Sequence, residues 1–380
     1  MRILIVGGGM AGWTLAGHLR RRGITPVLVE KVSEYRRVGF FIGLYPFSAN
    51  TLRETGCYDR YREEALAVER YVMLDGHGHR LQEISIADLF GAVHSAMGGV
   101  HRATLLDLLR DAAAGTDLRM GTTVTALDQQ GATVGVTLSN GEELEVDLVV
   151  GTDGIHSATR ALVGEDTAVR DWGYTAFTWW APPHPEIGPT LVEQWGPARF
   201  FGIYPLRGEV NMVAALPTPD GLDPHNQEAM RATVLDAFPA PMGHMAHGLR
   251  VLADGAEVGA WPMADQRVRE WVHGRVALCC DAAAAFLPTA GVGASNAIKA
   301  AQVLADELGR ADAASIPDAL SLWCQRVREK VEANHEDSRK LAKLIFVRSR
   351  GVAEVRDLVL RHYPVERVAK DILSSSVVPF

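Results

Sequence analysis

The sequence predicts an α/β fold: a parallel sheet flanked by helices, with a second, antiparallel sheet inserted into it and helices at its C-terminal end. Three observations carry that prediction. Short apolar runs at residues 2–6, 146–150 and 275–280 lie far apart in the chain, and each leads into a turn rich in glycine or aspartate, as buried parallel strands do. Residues 171–262 have a different texture, tryptophan-rich, proline-punctuated and alternating, which reads as an antiparallel meander. Beyond residue 294 the pattern is almost wholly helical.

The first thirty residues organise the rest. Arg2-Ile3-Leu4-Ile5-Val6 runs straight into Gly7-Gly8-Gly9-Met10-Ala11-Gly12, and Trp13 to Arg22 continues as a helix carrying Leu15, Ala16 and Leu19 until Gly23 closes it. Gly7, Gly9 and Gly12 fit G-x-G-x-x-G between strand and helix. The first turns the chain tightly, the second lets backbone N–H groups approach a pyrophosphate, and the third lets the helix lie close on the strand. The next strand, Pro26-Val27-Leu28-Val29, ends at Glu30, where an acid can take both ribose hydroxyls of an adenosine. Together these elements predict a bound dinucleotide, with a purely structural turn as the alternative.

Lys31 to Gly39 is polar and loop-like. Arg36 and Arg37 are read two ways, as a solvated basic loop or as a pyrophosphate contact suited to arginine's bidentate hydrogen bonding. Phe40 to Pro46 precedes a helical pattern through Leu52 to Gly56, and the stretch from Tyr71 to Ile86 alternates around the hairpin signature Asp75-Gly76-His77-Gly78. His101 opens a helix to about Ala114. Strands are expected at Leu118–Met120, Val124–Asp128, Val134–Leu138 and Glu143–Glu145, with Ser139-Asn140-Gly141-Glu142 as a hairpin turn. The strand Val146–Val150 ends in Gly151-Thr152-Asp153-Gly154, at the carboxyl end where open α/β sheets place ligands; a simple turn is the alternative.

In the meander, strands are expected at Ala176–Trp180, Ala198–Leu206 and Val210–Leu216, and a helix near Glu228–Ala237; the rest of 218–250 has no assignment. Trp271 to Asp281 is turn then strand, and Cys279 and Cys280 are expected on opposite faces of it as packing residues. Pro288, Gly291 and Gly293 precede a helix from Ala294 to Leu308, which gathers free N–H groups and a positive dipole end at one place. Helices from Pro317 towards Arg348 and from Val352 to Leu373 complete the chain.

Composition sets the outer limits. With 380 residues, 47% hydrophobic and 22% charged, the chain has ample core for a soluble globular protein of two or three domains. A net charge of -8 and a pI near 5.9 argue against nucleic acid or an anionic membrane as partner. Cys57, Cys279, Cys280 and Cys324 show no framework spacing, so free thiols in a reducing cytoplasm are expected. No run approaches membrane-helix length and residues 1–30 do not read as a signal peptide, so the expected location is cytoplasmic. The histidines form no compelling metal or Ser-His-Asp constellation, and no metal site is assigned.

Five ordered segments resemble the FAD-dependent, single-component (group A) aromatic monooxygenases related to para-hydroxybenzoate hydroxylase. They are Gly7, Gly9 and Gly12 with Glu30; Gly39 to Pro46 with Leu52 and Gly56; His101-Arg102 with Leu105; Gly151, Asp153, Gly154, Ser157 and Arg160; and Trp271 to Asp281 with Pro288, Gly291 and Gly293. The similarity covers nearly the whole chain. It implies a Rossmann-like FAD-binding domain of three layers (β/β/α) at residues 1–70, 98–170 and 263–345, a substrate domain at 71–97 and 171–262, and a C-terminal helix at 346–380. It also implies that the glycine loop holds the pyrophosphate, Glu30 the adenosine ribose, and Asp281 with Arg102 the ribityl chain. Met10, Ala11, Lys31, Arg37, Asp153 and Pro288 are implied as further cofactor contacts. The N–H groups around Gly291, Gly293 and Ala294 would face the flavin where negative charge accumulates on reduction.

By the same resemblance, NAD(P)H delivers hydride to FAD, O2 adds at C4a, and the hydroperoxide transfers one oxygen atom to an aromatic or polyketide-like molecule by hydroxylation or epoxidation. The protein supplies positioning and water exclusion, and no side chain is assigned as catalytic. Trp179, Phe201, Tyr204 and Met212 are taken as substrate contacts, a reading that a one-residue register shift reverses. The sequence departs from the family pattern at Cys280 (usually glycine), Ala284 (histidine), Ser295 (asparagine) and Lys299-Ala300 (an acidic pair), with Lys299 read as lying on a solvated helix face. These departures keep open a flavin-bound protein that binds or cyclises its substrate without net redox turnover. A flavin-dependent halogenase, raised by Gly12-Trp13, is opposed by Trp179-Trp180-Ala181-Pro182, which does not match the W-x-W-x-I-P of those enzymes.

Overall fold

The computed structural model describes residues 1–35, 39–90, 97–165, 167–241 and 243–363. Its first sheet has six strands, in the order Val272–His273, Val276–Leu278, Leu148–Gly151, Ile3–Val6, Val27–Glu30 and Asp117–Met120. Neighbours are parallel except at the short edge strand Val272–His273. Ile3–Val6 lies near the centre, and none of its side chains is more than 1% exposed. Ile3 and Ile5 pack with the helices Met10–Arg21, Arg102–Ala112 and Gly293–Leu308. Leu4 and Val6 pack the other way, against an antiparallel sheet of Val124–Gln130, Thr133–Leu138 and Glu143–Val146. A strand covered on both faces has no polar face to show, hence the unbroken apolar run. Each of its side chains contributes about 1.5–3 kcal/mol through burial. The layers are therefore β/β/α.

Residues 70–85 and 170–285 supply an eight-stranded sheet. Its order is Ala284–Ala285, Gly259–Arg267, Arg170–Ala181, Val210–Pro217, Arg199–Pro205, Thr190–Gly196, Arg70–Asp75 and Arg80–Ser85. Thr190–Gly196 runs parallel to Arg70–Asp75, so a meander is joined to a hairpin rather than standing alone. The outer face lies under the helices Gln227–Ala237 and Gly243–Ala253, the second of which falls in the stretch left unassigned from sequence. The inner face meets Phe286, Leu287, Ala290 and Val292 and the end of the helix Ile316–Ile345.

That long helix fixes the loop from which the site is built. Thr289 Oγ1 donates to Ser338 O at 2.6 Å, His335 Nε2 lies 3.0 Å from Ala285 O, and Asn334 Nδ2 donates to Asn296 Oδ1 at 3.1 Å. A further helix covers Arg350–His362, and its expected extension to Leu373 lies outside the described residues. Among the described residues, no helix is long and apolar enough to cross a membrane.

Candidate active site

The glycine loop is held from both sides. Gly7 has φ +105°, its N–H donates to Val29 O at 2.8 Å, and Thr152 Oγ1 donates to Gly7 O at 2.8 Å. A side chain on Gly12 would strike Gly7 O, so the helix lies against the strand only because that position is bare. Around Gly9, by contrast, nothing lies within 4 Å of where a Cβ would sit. Gly9 caps the helix Met10–Arg21 without a side-chain hydrogen bond, and the first turn carries no acid, so the N-terminal N–H groups around Met10 and Ala11 open onto free space.

Glu30 sits at its strand end and accepts the N–H groups of Gly8 at 2.7 Å and Val32 at 3.0 Å. Tyr35 closes the same loop: its Oη donates to Gly8 O at 3.1 Å and receives the Trp13 indole N–H at 3.0 Å. Sequence reasoning missed Tyr35, although a tyrosine following the acid in a polar loop was the available signal. Lys31 is exposed, and Arg36 and Arg37 lie outside the described residues.

Arg102 begins its helix after His101, whose Nδ1 accepts the Ala103 N–H at 3.0 Å. Burial lowers the Arg102 pKa, while the charges of Asp281 and then Glu30 raise it, so these three expected residues share one electrostatic neighbourhood. Asp281 is exposed at its surface but hemmed in by the protein around it, and the resulting desolvation pushes its pKa up to about 6 against the pull of Arg102. Asp153 does something other than expected. Its carboxylate is taken up by its own turn, accepting Ser157 Oγ at 2.5 Å and Thr159 N and Oγ1 at 2.9 and 3.0 Å. From that turn Arg160 donates to Ile155 O at 2.6 Å and Ala282 O at 3.1 Å, fastening the Asp281 turn from below. Asp153 therefore shapes the cleft at one remove.

Pro288–Ala290 is a 3-10 turn that ends at Gly291, φ +63°, before the helix starts at Gly293 and runs through Ala294. Tyr45 Oη donates to Ala290 O at 3.1 Å, and the Tyr45 N–H donates to Ser295 Oγ at 3.2 Å. Ser295 is fully buried and also receives Ser48 Oγ at 2.9 Å, so this departure from the family pattern is absorbed by local hydrogen bonds.

Two expectations fail here. Cys279 and Cys280 do not point to opposite faces: the strand stops at Leu278, Cys280 takes φ +59° at the start of a 3-10 turn, and the sulfurs lie 3.2 Å apart. A left-handed residue explains why glycine is usual at this position. Lys299 is not on a solvated face either. It is half-buried, and its Nζ donates to Gln302 Oε1 at 2.7 Å, while Gln302 Nε2 donates in turn to Glu54.

The expected substrate residues split across the second sheet. Trp179, Phe201 and Met212 belong to the outer core beneath the two covering helices, and the Trp179 indole N–H donates to Gly248 O at 2.9 Å. They cannot meet a ligand on the inner face. Their neighbours occupy that face instead: Trp180 stacks on His101 at 4.7 Å, and buried Asn211 accepts the Phe41 N–H at 3.0 Å. Tyr204, the fourth residue expected to contact substrate, is on the inner side, its ring laid over Gly202, where any side chain would collide with it. It stacks on Phe41 at 5.1 Å and donates to Glu193 Oε1 at 2.9 Å. Glu193 Oε2 accepts Tyr71 Oη at 2.7 Å and the Trp195 indole N–H at 3.1 Å. Burial raises the Glu193 pKa, and the three donors pull it down. The sequence offered a signal for Glu193, an acid inside an apolar strand, which was passed over.

Comparison with known proteins agrees with this geometry. The sequence profile of the family described as FAD binding domain matches residues 1–320. An aurachin C monooxygenase/isomerase of Stigmatella aurantiaca is 28% identical over 334 residues, covering 86% of this chain and 85% of that protein. A 3-amino-4-hydroxybenzoate 2-monooxygenase of Streptomyces platensis is 31% identical over 327 residues, covering 82% and 80%. The structure of Klebsiella pneumoniae HpxO complexed with FAD and uric acid shares the fold, with a TM-score of 0.89, 22% identity and coverage of 100% and 97%. The chain belongs to the FAD-binding-domain family, among its FAD-dependent monooxygenases.

Proposed function

We propose that this protein is an NAD(P)H-dependent FAD monooxygenase that places one oxygen atom from O2 on a small hydroxylated aromatic molecule. The residues fit the cofactor. The open space at Gly9 beside uncapped helical N–H groups would take the pyrophosphate, Glu30 the adenosine ribose, Arg102 and Asp281 the ribityl chain, and the turn Pro288–Gly293 the ring. Bound FAD supplies the redox chemistry, accepting hydride from NAD(P)H and activating O2. The chain's own residues bind, orient and exclude water, and the apolar cluster of Phe41, Tyr45, Phe286 and Val292 suits that task.

One observation carries the substrate class. Tyr71 and Tyr204 both donate their hydroxyl protons to Glu193, so each phenol oxygen can act towards a further partner only as an acceptor. Such oxygens accept hydrogen bonds, so the floor of the inner face selects a ligand that carries an O–H or N–H donor. The aminohydroxybenzoate named for one relative and the uric acid bound by one structural neighbour are small and of this kind, which supports the reading. The departures at Cys280 and Ser295 are accommodated locally and give no support to a non-redox function. The test is substrate-stimulated NAD(P)H oxidation across phenols and their O-methyl ethers. The phenols should stimulate and the ethers should not; equal stimulation would remove the donor requirement.

A further inference from the structure

At one end of its strands the second sheet carries a cluster that the flavin chemistry does not use. His184 and Glu186 lie on the loop between the strands Arg170–Ala181 and Thr190–Gly196, and His244 lies in the first turn of the helix Gly243–Ala253. One ligand atom from each of the three falls within 4.8 Å of the others. His247, one turn along the same helix, packs its ring 5.0 Å from that of His184, and its Nε2 lies 3.0 Å from Pro182 O. That contact fixes the N–H at Nε2 and leaves the Nδ1 lone pair available, the arrangement in which a backbone carbonyl orients a metal-binding imidazole. His244 Nδ1 is buried with no hydrogen-bond partner among the described residues, where buried ring nitrogens are ordinarily answered.

We infer that His184, Glu186 and His244, with His247 beside them, form a binding site for a divalent transition-metal ion of the zinc class. Imidazoles with a single carboxylate favour zinc and its neighbours over magnesium or calcium, which demand oxygen ligands. A bound ion would tie the loop to the helix that roofs the outer core, so its role is to staple this face, away from the cofactor cradle. The ligands come from segments sixty residues apart in the chain, and no sequence spacing announces them.

The test uses the FAD-loaded protein, purified without a polyhistidine tag, treated with chelator and titrated with Zn2+ by calorimetry. One equivalent should bind, and the melting temperature should rise with it. His184→Ala, His244→Ala and Glu186→Gln should each weaken binding at least tenfold with FAD content unchanged, whereas a double His77→Ala/His79→Ala variant, removing two histidines whose rings lie 6.2 Å apart elsewhere in the sheet, should bind as wild type does. Glu186 is exposed on its loop, so its glutamine variant keeps the test decisive if a histidine variant fails to retain FAD. Absence of stoichiometric binding, or equal binding by Glu186→Gln and wild type, overturns the inference.

Discussion

Replacing Arg160 by methionine probes how the cofactor cleft is built. Arg160 is 6% exposed and joins two turns, donating to Ile155 O at 2.6 Å and to Ala282 O at 3.1 Å, the latter next to Asp281. Methionine keeps much of the volume but donates nothing, so the buried Ala282 carbonyl and the half-buried Ile155 carbonyl lose a charged partner. Each loss costs about 1–3 kcal/mol, partly offset because a guanidinium no longer has to be desolvated. A net destabilisation of about 2–4 kcal/mol follows, or roughly 4–16 °C in melting temperature at ~2–4 °C per kcal/mol. Because the Asp281 turn is then held from one side only, FAD should bind at least tenfold more weakly, readable by fluorescence titration of the apoprotein. Arg160→Lys, a single point charge that can reach one acceptor, should fall between. If Arg160→Met melts and binds FAD as wild type does, then Arg160 does not position Asp281, and the account of this turn is wrong.

Three further outcomes are expected. Tyr204→Phe takes one of three donors from the half-buried Glu193, so the protein should lose about 1–3 kcal/mol of stability by thermal melting, and phenolic substrates should show a raised KM in NAD(P)H oxidation. Cys280→Gly relieves a left-handed residue by ~1 kcal/mol while giving up a buried thiol, so its melting temperature should stay close to wild type; Cys280→Val, β-branched at φ +59°, should melt several degrees lower. In the apoprotein, the Asp281 pKa is raised by burial to about 6, so the fold holds a proton that the unfolded chain releases at lower pH. Stability from this group therefore falls as pH rises from about 4 through 6. Asp281→Asn should gain melting temperature relative to wild type over that window, and a constant difference across it would refute the assignment.

What the sequence disclosed followed from local chemistry. The strand, glycine turn, helix and Glu30 were legible because each is specified by neighbours in the chain. The strands leading to Gly151 and towards Asp281 were legible because fully buried parallel strands leave unbroken apolar runs, although the second stops at Leu278. The second sheet was legible as a sheet but not by face. Phe177, Trp179, Phe201 and Met212 point to the outer core, while Trp180 and Tyr204 point inward, and both sets are aromatic or apolar because helices cover one side and the cofactor layer the other. Alternation without a polar face cannot say which side is which. Cys280 was misplaced for a different reason: the strand was extended through it on pattern, whereas its φ of +59° turns the chain and brings its sulfur onto that of Cys279. Asp153 was expected as a cofactor contact, and what the sequence did not disclose is that its carboxylate accepts hydrogen bonds from Ser157 and Thr159 of its own turn.

The most direct test of the central claim is anaerobic reduction followed by oxygen. The FAD-loaded protein is mixed with NADPH or NADH, with and without a hydroxylated aromatic compound, and then opened to 18O2. The account predicts that the flavin absorbance bleaches faster in the presence of substrate and that the product gains one 18O atom. A bound flavin that neither nicotinamide reduces with any such compound, or a product free of 18O, would contradict it.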